Sequence, residues 1–411
     1  MTIVELYTHV SLRCVIVVDM SSSNRPDVAI VGAGIVGLAH AWEAHRRGAR
    51  VLVVDAAAGA HGASVRNFGH ACVTPQAGAA AVFAAEARSR WLDLAARAGF
   101  AARESGTHVV ARRPEELALL EEFAADPERD VELLTADAFA DAVPVDPDAV
   151  LGGAFLPRDL QVDPRTAVAA IARYLADQGV VFRWRTAATG AASGVLATTR
   201  GDVHADTIVV ATNHDVDRLF PAIAELAGLV RCRLHMLRAA PTLRAPLRAP
   251  LLTGWSMLRY AGFTAQRAAA ALRERLAAEL PEGIELDLNQ MVTQHVDGSL
   301  ILGDTHERGV DATPFESERG FDLVLRETRR LFGIEEIPVL ERWQGVYASS
   351  TQPGREFVIA EPERGVHVVT VASGIGMTTG PGIAPYTFDR TAAALTDVPT
   401  PAPERHLQET R

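Results

Sequence analysis

The stretch Asp27–Asp55 constrains this chain more than any other part of it. DVAIVG is short and almost wholly apolar, the pattern of a parallel strand buried on both faces. A helical segment, IVGLAHAWEAHRRG, follows and stops at Gly48, a residue suited to a helix C-terminus. ARVLVVD then supplies a second buried strand that ends in Asp55. Between the first strand and the helix lies GAGIVG, which gives Gly32, Gly34 and Gly37 the GxGxxG spacing. The first glycine permits a tight turn, the second lets backbone approach a pyrophosphate, and the third lets helix and strands pack closely. Ile35 and Val36 open the helix, whose free N–H groups and dipole favour phosphate. Asp55 is placed to accept hydrogen bonds from a ribose and opposes the 2′-phosphate of NADP. With all these parts in register, the segment predicts a dinucleotide-binding α/β unit.

A second glycine-rich turn, GIGMTTGPGIA, follows the buried run VHVVTVAS late in the chain and opens a last helix. Gly374, Gly376, Met377, Thr378 and Thr379 are candidates there, with the two threonines as donors to cofactor or substrate. A second backbone cradle suits a ligand longer than ADP, so FAD is favoured over NAD.

Between these ends the chain predicts helices near Ala80–Ala98, Pro114–Ala125, Val162–Gly179, Thr264–Leu280 and Ser317–Leu331. Strands are expected at VVFRWR, DTIVVAT and RCRLHMLRAAP. A hairpin pairs LDLNQMVTQ with SLILGD across Asp297-Gly298. On this reading Asp304 and His306 merely end a strand, and His295 beside the turn is solvated.

Composition excludes several function classes. A net charge of −11 gives no electrostatic support for a nucleic-acid partner. No apolar run approaches the ~18 residues of a membrane span. Cys14, Cys72 and Cys232 are far apart, which argues against a disulfide framework or a cysteine zinc site; no metal is expected, and a reducing cytoplasm is the default. Residues 1–25 are read either as a disordered arm or as an extension ahead of a start at Met20, and 396–411 as a disordered proline-rich tail. There is no lysine; all 40 basic residues are arginine.

GAGIVG with Asp55, GASVRNFG (62–69), VDP (162–164), VVAT (209–212) and GIGMTTGPG (374–382) together resemble the D-amino-acid-oxidase-like superfamily of FAD enzymes. That superfamily includes glycine, sarcosine and D-amino-acid oxidases. GASVRNFG, RCRLHMLR, SLILGDTHE and RWQGVYA look more narrowly like a bacterial family associated with phosphonate metabolism. The resemblance implies a Rossmann-type FAD domain (26–85, 158–232 and 340–395) with a parallel sheet. An interleaved substrate domain on an antiparallel sheet would take 86–157 and 233–339. It implies cofactor contacts from Ser64, Arg66, Asn67, Ala211 and Thr212. It also implies non-covalent FAD, because Asn67 stands roughly where some relatives attach flavin through histidine, and no cysteine lies near the last glycine turn.

The implied reaction is oxidation of a small amine, whose neutral lone pair assists hydride transfer to flavin N5 and whose imine product is hydrolysed to a carbonyl. The substrate is an aminophosphonate related to 2-aminoethylphosphonate, or alternatively glycine, sarcosine, a D-amino acid or a hydroxy acid. The electron acceptor is dioxygen or another molecule, with an oxidase favoured over a dehydrogenase. Arg259, Tyr260, Arg342 and Tyr347 are the candidates for holding an anionic substrate, since a planar guanidinium suits carboxylate or phosphonate. His70 is a candidate neighbour of the flavin ring, or else a structural histidine. Without lysine, any oxygen-activating cation must be histidine or arginine.

Overall fold

The computed structural model describes residues 25–390, so all but the last residue of the N-terminal extension, and the whole tail, lie outside the described residues. Val28–Val31 sits inside a six-stranded sheet, paired in parallel with Val51–Asp55 on one side and Thr207–Val210 on the other. Val181–Trp184 and Val366–Val371 extend the sheet in parallel, and Phe357–Glu363 closes one edge antiparallel. The register sets Val31 beside both Val54 and Val210. The C-terminal ends of three strands therefore converge, and Gly32, Asp55 and Ala211 follow from there. This is where open parallel sheets place ligands.

Both faces of this sheet are covered, which explains its near-continuous apolar strands. On one face Leu38 and Trp42 of helix Ile35–Arg46 meet Phe83, Trp91 and Leu94 of helix Gly78–Ala98 and Ile383 of helix Gly376–Phe388. On the other, Ala29, Leu52 and Ile208 pack with Leu196, Val203, Val216 and Ile223 under a small antiparallel sheet.

A second, nine-stranded sheet is antiparallel apart from the parallel pair Thr107–Ala111 with Leu251–Leu252. Its spine is Leu229–Ala239, which pairs with Val339–Ser350 on one side and with Leu300–Gly303 and His306–Gly309 on the other. Helix Glu318–Phe332 covers it through Phe321, Leu325 and Leu331. The hairpin forms about Gly298 (φ +85°), but its strands run only Met291–Gln294 and Leu300–Gly303. Residues 286–288 instead turn out of a short helix, Pro281–Glu285, through Asp287 at φ +46°. The helix expected at 264–280 is Ala268–Glu279, preceded by the separate turn Ala261–Thr264.

The boundaries expected at 232/233 and 339/340 fall inside the paired strands Leu229–Ala239 and Val339–Ser350. The one at 85/86 falls inside helix Gly78–Ala98, whose Ala87, Trp91 and Leu94 belong to the core beside the parallel sheet. Both strands lie wholly in the nine-stranded sheet, so composition changes along an element need not mark its ends.

Candidate active site

Gly32 adopts φ +102°, and a Cβ there would lie 2.5 Å from the Ala211 carbonyl oxygen. A Cβ on Gly37 would collide with the Gly32 carbonyl, so this glycine acts beneath the turn and does not line the cavity. Asp55 fastens the turn: its Oδ2 accepts from the Ala33 amide at 2.7 Å and its Oδ1 from Ala57 at 2.8 Å. At the helix N-terminus, where amide donors lack intrahelical acceptors, the Ile35 amide donates to Ser64 Oγ at 2.9 Å. Asn67 braces its own loop, donating to Ala63 O at 2.9 Å and accepting from the Gly69 amide at 2.8 Å. Arg66 donates to the Gln344 carbonyl at 3.2 Å, tying the loop to strand Val339–Ser350.

These groups border one cavity of about 1020 Å³. It runs from Gly32, Gly34, Ile35, Val36 and Asp55 past Ser64, Arg66, Asn67, Ala211 and Thr212 to Gly374, Gly376 and Met377. That volume is at the upper end of the range for ligand sites. The bare backbone at Gly32, the donor-rich helix end and the second glycine turn fit a long dinucleotide.

The far end is built by the second sheet. Arg259, Tyr260, Asn289, Met291, Asp304, His306 and Tyr347 all border the cavity there. Arg259 Nη1 donates to Asp287 Oδ1 at 3.0 Å, and Arg308 Nη1 donates to Asp287 Oδ2 at 2.7 Å. Burial opposes the Arg259 charge, but Tyr347, Asp287 and Asp304 outweigh it and hold the guanidinium above its usual value. Asp287 is likewise opposed by burial, yet the Arg259 charge keeps it below the usual carboxylate range. Asp304 goes the other way: burial pushes it up to about 7 against the pull of Arg259. Burial, helped by Arg259, lowers His306 well below its ordinary value, so it is neutral at pH 7. Burial also raises both Tyr260 and Tyr347, which are uncharged phenols beside Cys72 and Cys232 respectively. The site thus offers a committed cation, a carboxylate poised near neutrality and two phenols in a setting largely shielded from water.

Other expected site residues are not gathered there. Arg342 lies with its guanidinium 5.3 Å from the Phe321 ring centre and 3.5 Å from Glu318. It is five residues from Tyr347 on one strand, and alternation sends residues an odd number apart to opposite faces. His70 is one layer behind Met291: its Nε2 is 2.6 Å from Thr107 Oγ1 and 3.5 Å from Asp159 Oδ2, and its Nδ1 is 3.3 Å from Met291 Sδ. It takes part in a buried cluster with Cys72 and Asp159, whose polar atoms lie within 4.8 Å of one another. Thr378 and Thr379 turn into the core, where Thr378 Oγ1 accepts from the Cys72 amide at 3.1 Å and Thr379 Oγ1 donates to Ile375 O at 2.9 Å. His295, expected only as a solvated residue, sits at the hairpin turn, outside the cavity lining.

Asp304 and His306, expected only to end a strand, face the cavity instead, and Asn289 and Met291 were not singled out at all. A signal was present. In SLILGDTHE, Leu300, Leu302, Asp304 and His306 share one parity, so the acid continues a buried face where an unpaired charge is costly.

The family model described as FAD dependent oxidoreductase (DAO) matches residues 27–390. No curated protein matches the sequence. Among solved structures, glycine oxidase from Geobacillus kaustophilus superposes with a TM-score of 0.73 at 20% identity, over 93% of this chain and 99% of that one. L-proline dehydrogenase from P. horikoshii gives 0.73 at 17%, over 91% and 95%. FAD-bound L-alpha-glycerophosphate oxidase from Mycoplasma pneumoniae gives 0.66 at 18%, over 92% and 97%. At these identities the likeness establishes the fold.

Proposed function

The chain belongs to the DAO family of FAD-dependent oxidoreductases, and from that premise we propose that it oxidises a small anionic amine, with an aminophosphonate related to 2-aminoethylphosphonate as the preferred substrate. The observation that carries this reading is one continuous cavity, with the glycine turn at Gly32 at one end and half-buried Arg259 at the other. Gly32, Gly34, Asp55 and Ser64 would hold the ADP part of FAD, and Gly374–Met377 its ring end. When bound, the flavin supplies a two-electron acceptor for the hydride on the amine-bearing carbon. Non-covalent attachment of FAD is part of this proposal.

The side chains supply orientation and polarity. Arg259 receives the phosphonate or carboxylate through donors not spent on Asp287, and its fixed charge orients the amine end. Tyr347, whose ring lies 2.9 Å from where a Cβ on Gly374 would be, walls the space beside the second glycine turn. The buried walls exclude water, which strengthens each of these contacts. The imine leaves the reaction by hydrolysis to a carbonyl.

The likeness to a glycerophosphate oxidase supports a second reading, oxidation of an anionic alcohol at the same Arg259. Anaerobic titration of the FAD-loaded protein separates the two. Aminophosphonates, glycine, sarcosine and D-amino acids are tested beside hydroxy acids and glycerol phosphate. The amine reading expects bleaching of the flavin bands by amines only; bleaching by the alcohols alone rejects it.

A further inference from the structure

We propose that Asp304 and Asn289 form an ammonium-binding, proton-accepting subsite opposite Arg259, so that the cavity selects short dipolar amines carrying cation and anion in one small molecule. This deepens the amine reading above and rests on it.

Just beyond the hairpin strands, and one residue out of their register, the two residues lie across from each other. The Asn289 amide donates to Asp304 O at 2.7 Å and the Asp304 amide to Asn289 O at 2.6 Å, so their side chains emerge on one face. There Asn289 Nδ2 donates to Asp304 Oδ1 at 2.8 Å. Two acceptors remain: Asp304 Oδ2, 3.6 Å from His306 Nε2 and beyond hydrogen-bond reach, and Asn289 Oδ1. Asn289 Oδ1 is buried without a hydrogen-bond partner, although the residue is only 6% exposed and borders the cavity. A buried acceptor lacking a donor is costly, and a bound ammonium, with its N–H donors, satisfies both oxygens at once.

Charge balance points the same way. Arg259 and Arg308 face Asp287 and Asp304, so the ionised cluster is neutral. A dipolar ligand with its anion on Arg259 and its ammonium on Asp304 leaves it neutral. A bare amine cation or a bare anion adds an uncompensated charge to a buried site.

The same contact prepares the amine. An ammonium N–H bond breaks, an O–H bond forms on Asp304 Oδ2, and the nitrogen keeps the electron pair. The ion pair becomes a neutral amine beside a neutral acid, with no change in oxidation state. Burial, which holds the acid near 7, matches its affinity for a proton to this transfer. The titratable groups facing Asp304 are Arg259 and Tyr260 from the segment after Gly254–Met257, Asp287, His306, and Tyr347 and Cys232 from the paired strands.

Two isosteric pairs of non-oxidisable ligands test this with FAD-loaded protein. One is 2-amino-2-methylpropanoate against 2,2-dimethylpropanoate, the other (2-amino-2-methylpropyl)phosphonate against (2,2-dimethylpropyl)phosphonate. Binding is read from perturbation of the flavin spectrum. The wild type binds the ammonium member of at least one pair ten-fold or more tightly than its methyl isostere. Asp304→Asn brings that ratio to within about two-fold, while Asn289→Ala lowers it three-fold or more with Asp304 retained. The acid limb near pH 7 in the rate of anaerobic flavin reduction disappears in Asp304→Asn. Equal binding of both members by the wild type, no binding of either pair, or an unchanged preference in Asp304→Asn overturns the subsite. Failure of the amine reading itself looks different: no amine in the wider panel bleaches the flavin, whatever these ligands do.

Discussion

Replacing Arg259 by methionine keeps a long flexible stem but removes the guanidinium. The structure limits the collateral damage. Asp287 retains Arg308 at 2.7 Å, so no carboxylate is stranded, and Asp304 rises further because Arg259 is the largest influence holding it down. With Asp304 protonated, Arg308 and Asp287 balance. The loss therefore falls on the ligand anion. A hydrogen bond to a charged group contributes about 1.5–3 kcal/mol, which corresponds to roughly 10- to 150-fold in affinity. The assay is the Kd of (2,2-dimethylpropyl)phosphonate from flavin absorbance, with FAD content and Tm measured alongside. Arg259→Met weakens the anion by at least ten-fold, retains FAD, and shifts the acid limb of amine oxidation to higher pH. Binding within three-fold of wild type at full FAD occupancy would refute the assignment.

Arg342→Ala leaves ligand affinity and turnover within two-fold, because the side chain lies on the opposite strand face, over Phe321 and near Glu318; steady-state kinetics check this. Ser64→Ala removes the acceptor for the Ile35 amide, a loss of about 0.5–2 kcal/mol by analogy with helix caps, and weakens FAD by roughly 2- to 30-fold in a dialysis titration. Gly37→Ala drives a Cβ into the Gly32 carbonyl and yields protein that is aggregated or free of FAD, read from the ratio of flavin to protein absorbance. Because Asp304 is raised from 3.8 to about 7, the fold favours its protonated form. That contribution is complete below its unfolded pKa and is lost as pH rises toward 7, so the Tm of Asp304→Asn minus that of wild type grows between pH 4 and 8.

What was legible in the sequence is what local pattern determines. The glycine spacing, the apolar strands and the acid ending the second strand marked the turn on which Gly32 and Asp55 meet, because each depends on neighbours within one βαβ unit, whereas Ser64 came only with the family resemblance. Arg259, Tyr260 and Tyr347, named beside Arg342 as candidates for holding an anion, border the cavity, whereas the same chemistry gave no means of setting Arg342 apart. The side on which a residue emerges was harder. Arg342 shares a strand with Tyr347 but differs in parity, and Thr378 and Thr379 follow Met377 yet rotate into the core once the helix begins at Gly376. The pairing of Asn289 with Asp304 lies beyond the hairpin strands and one residue out of their register, so strand alternation does not give it, and the unpaired amide oxygen appears only when both segments are in place. The expected boundaries at 232 and 340 fell within strands of the nine-stranded sheet because a change of composition along a strand does not mark where the strand begins.

The most direct test is the electron density of FAD in crystals of the reconstituted protein. The expected density has pyrophosphate over the Gly32–Ser64 turn and the isoalloxazine between the Gly374–Met377 bend and the pocket bearing Arg259 and Asp304. A nucleotide bound outside this cavity, or a ring pointing away from Arg259, would contradict it.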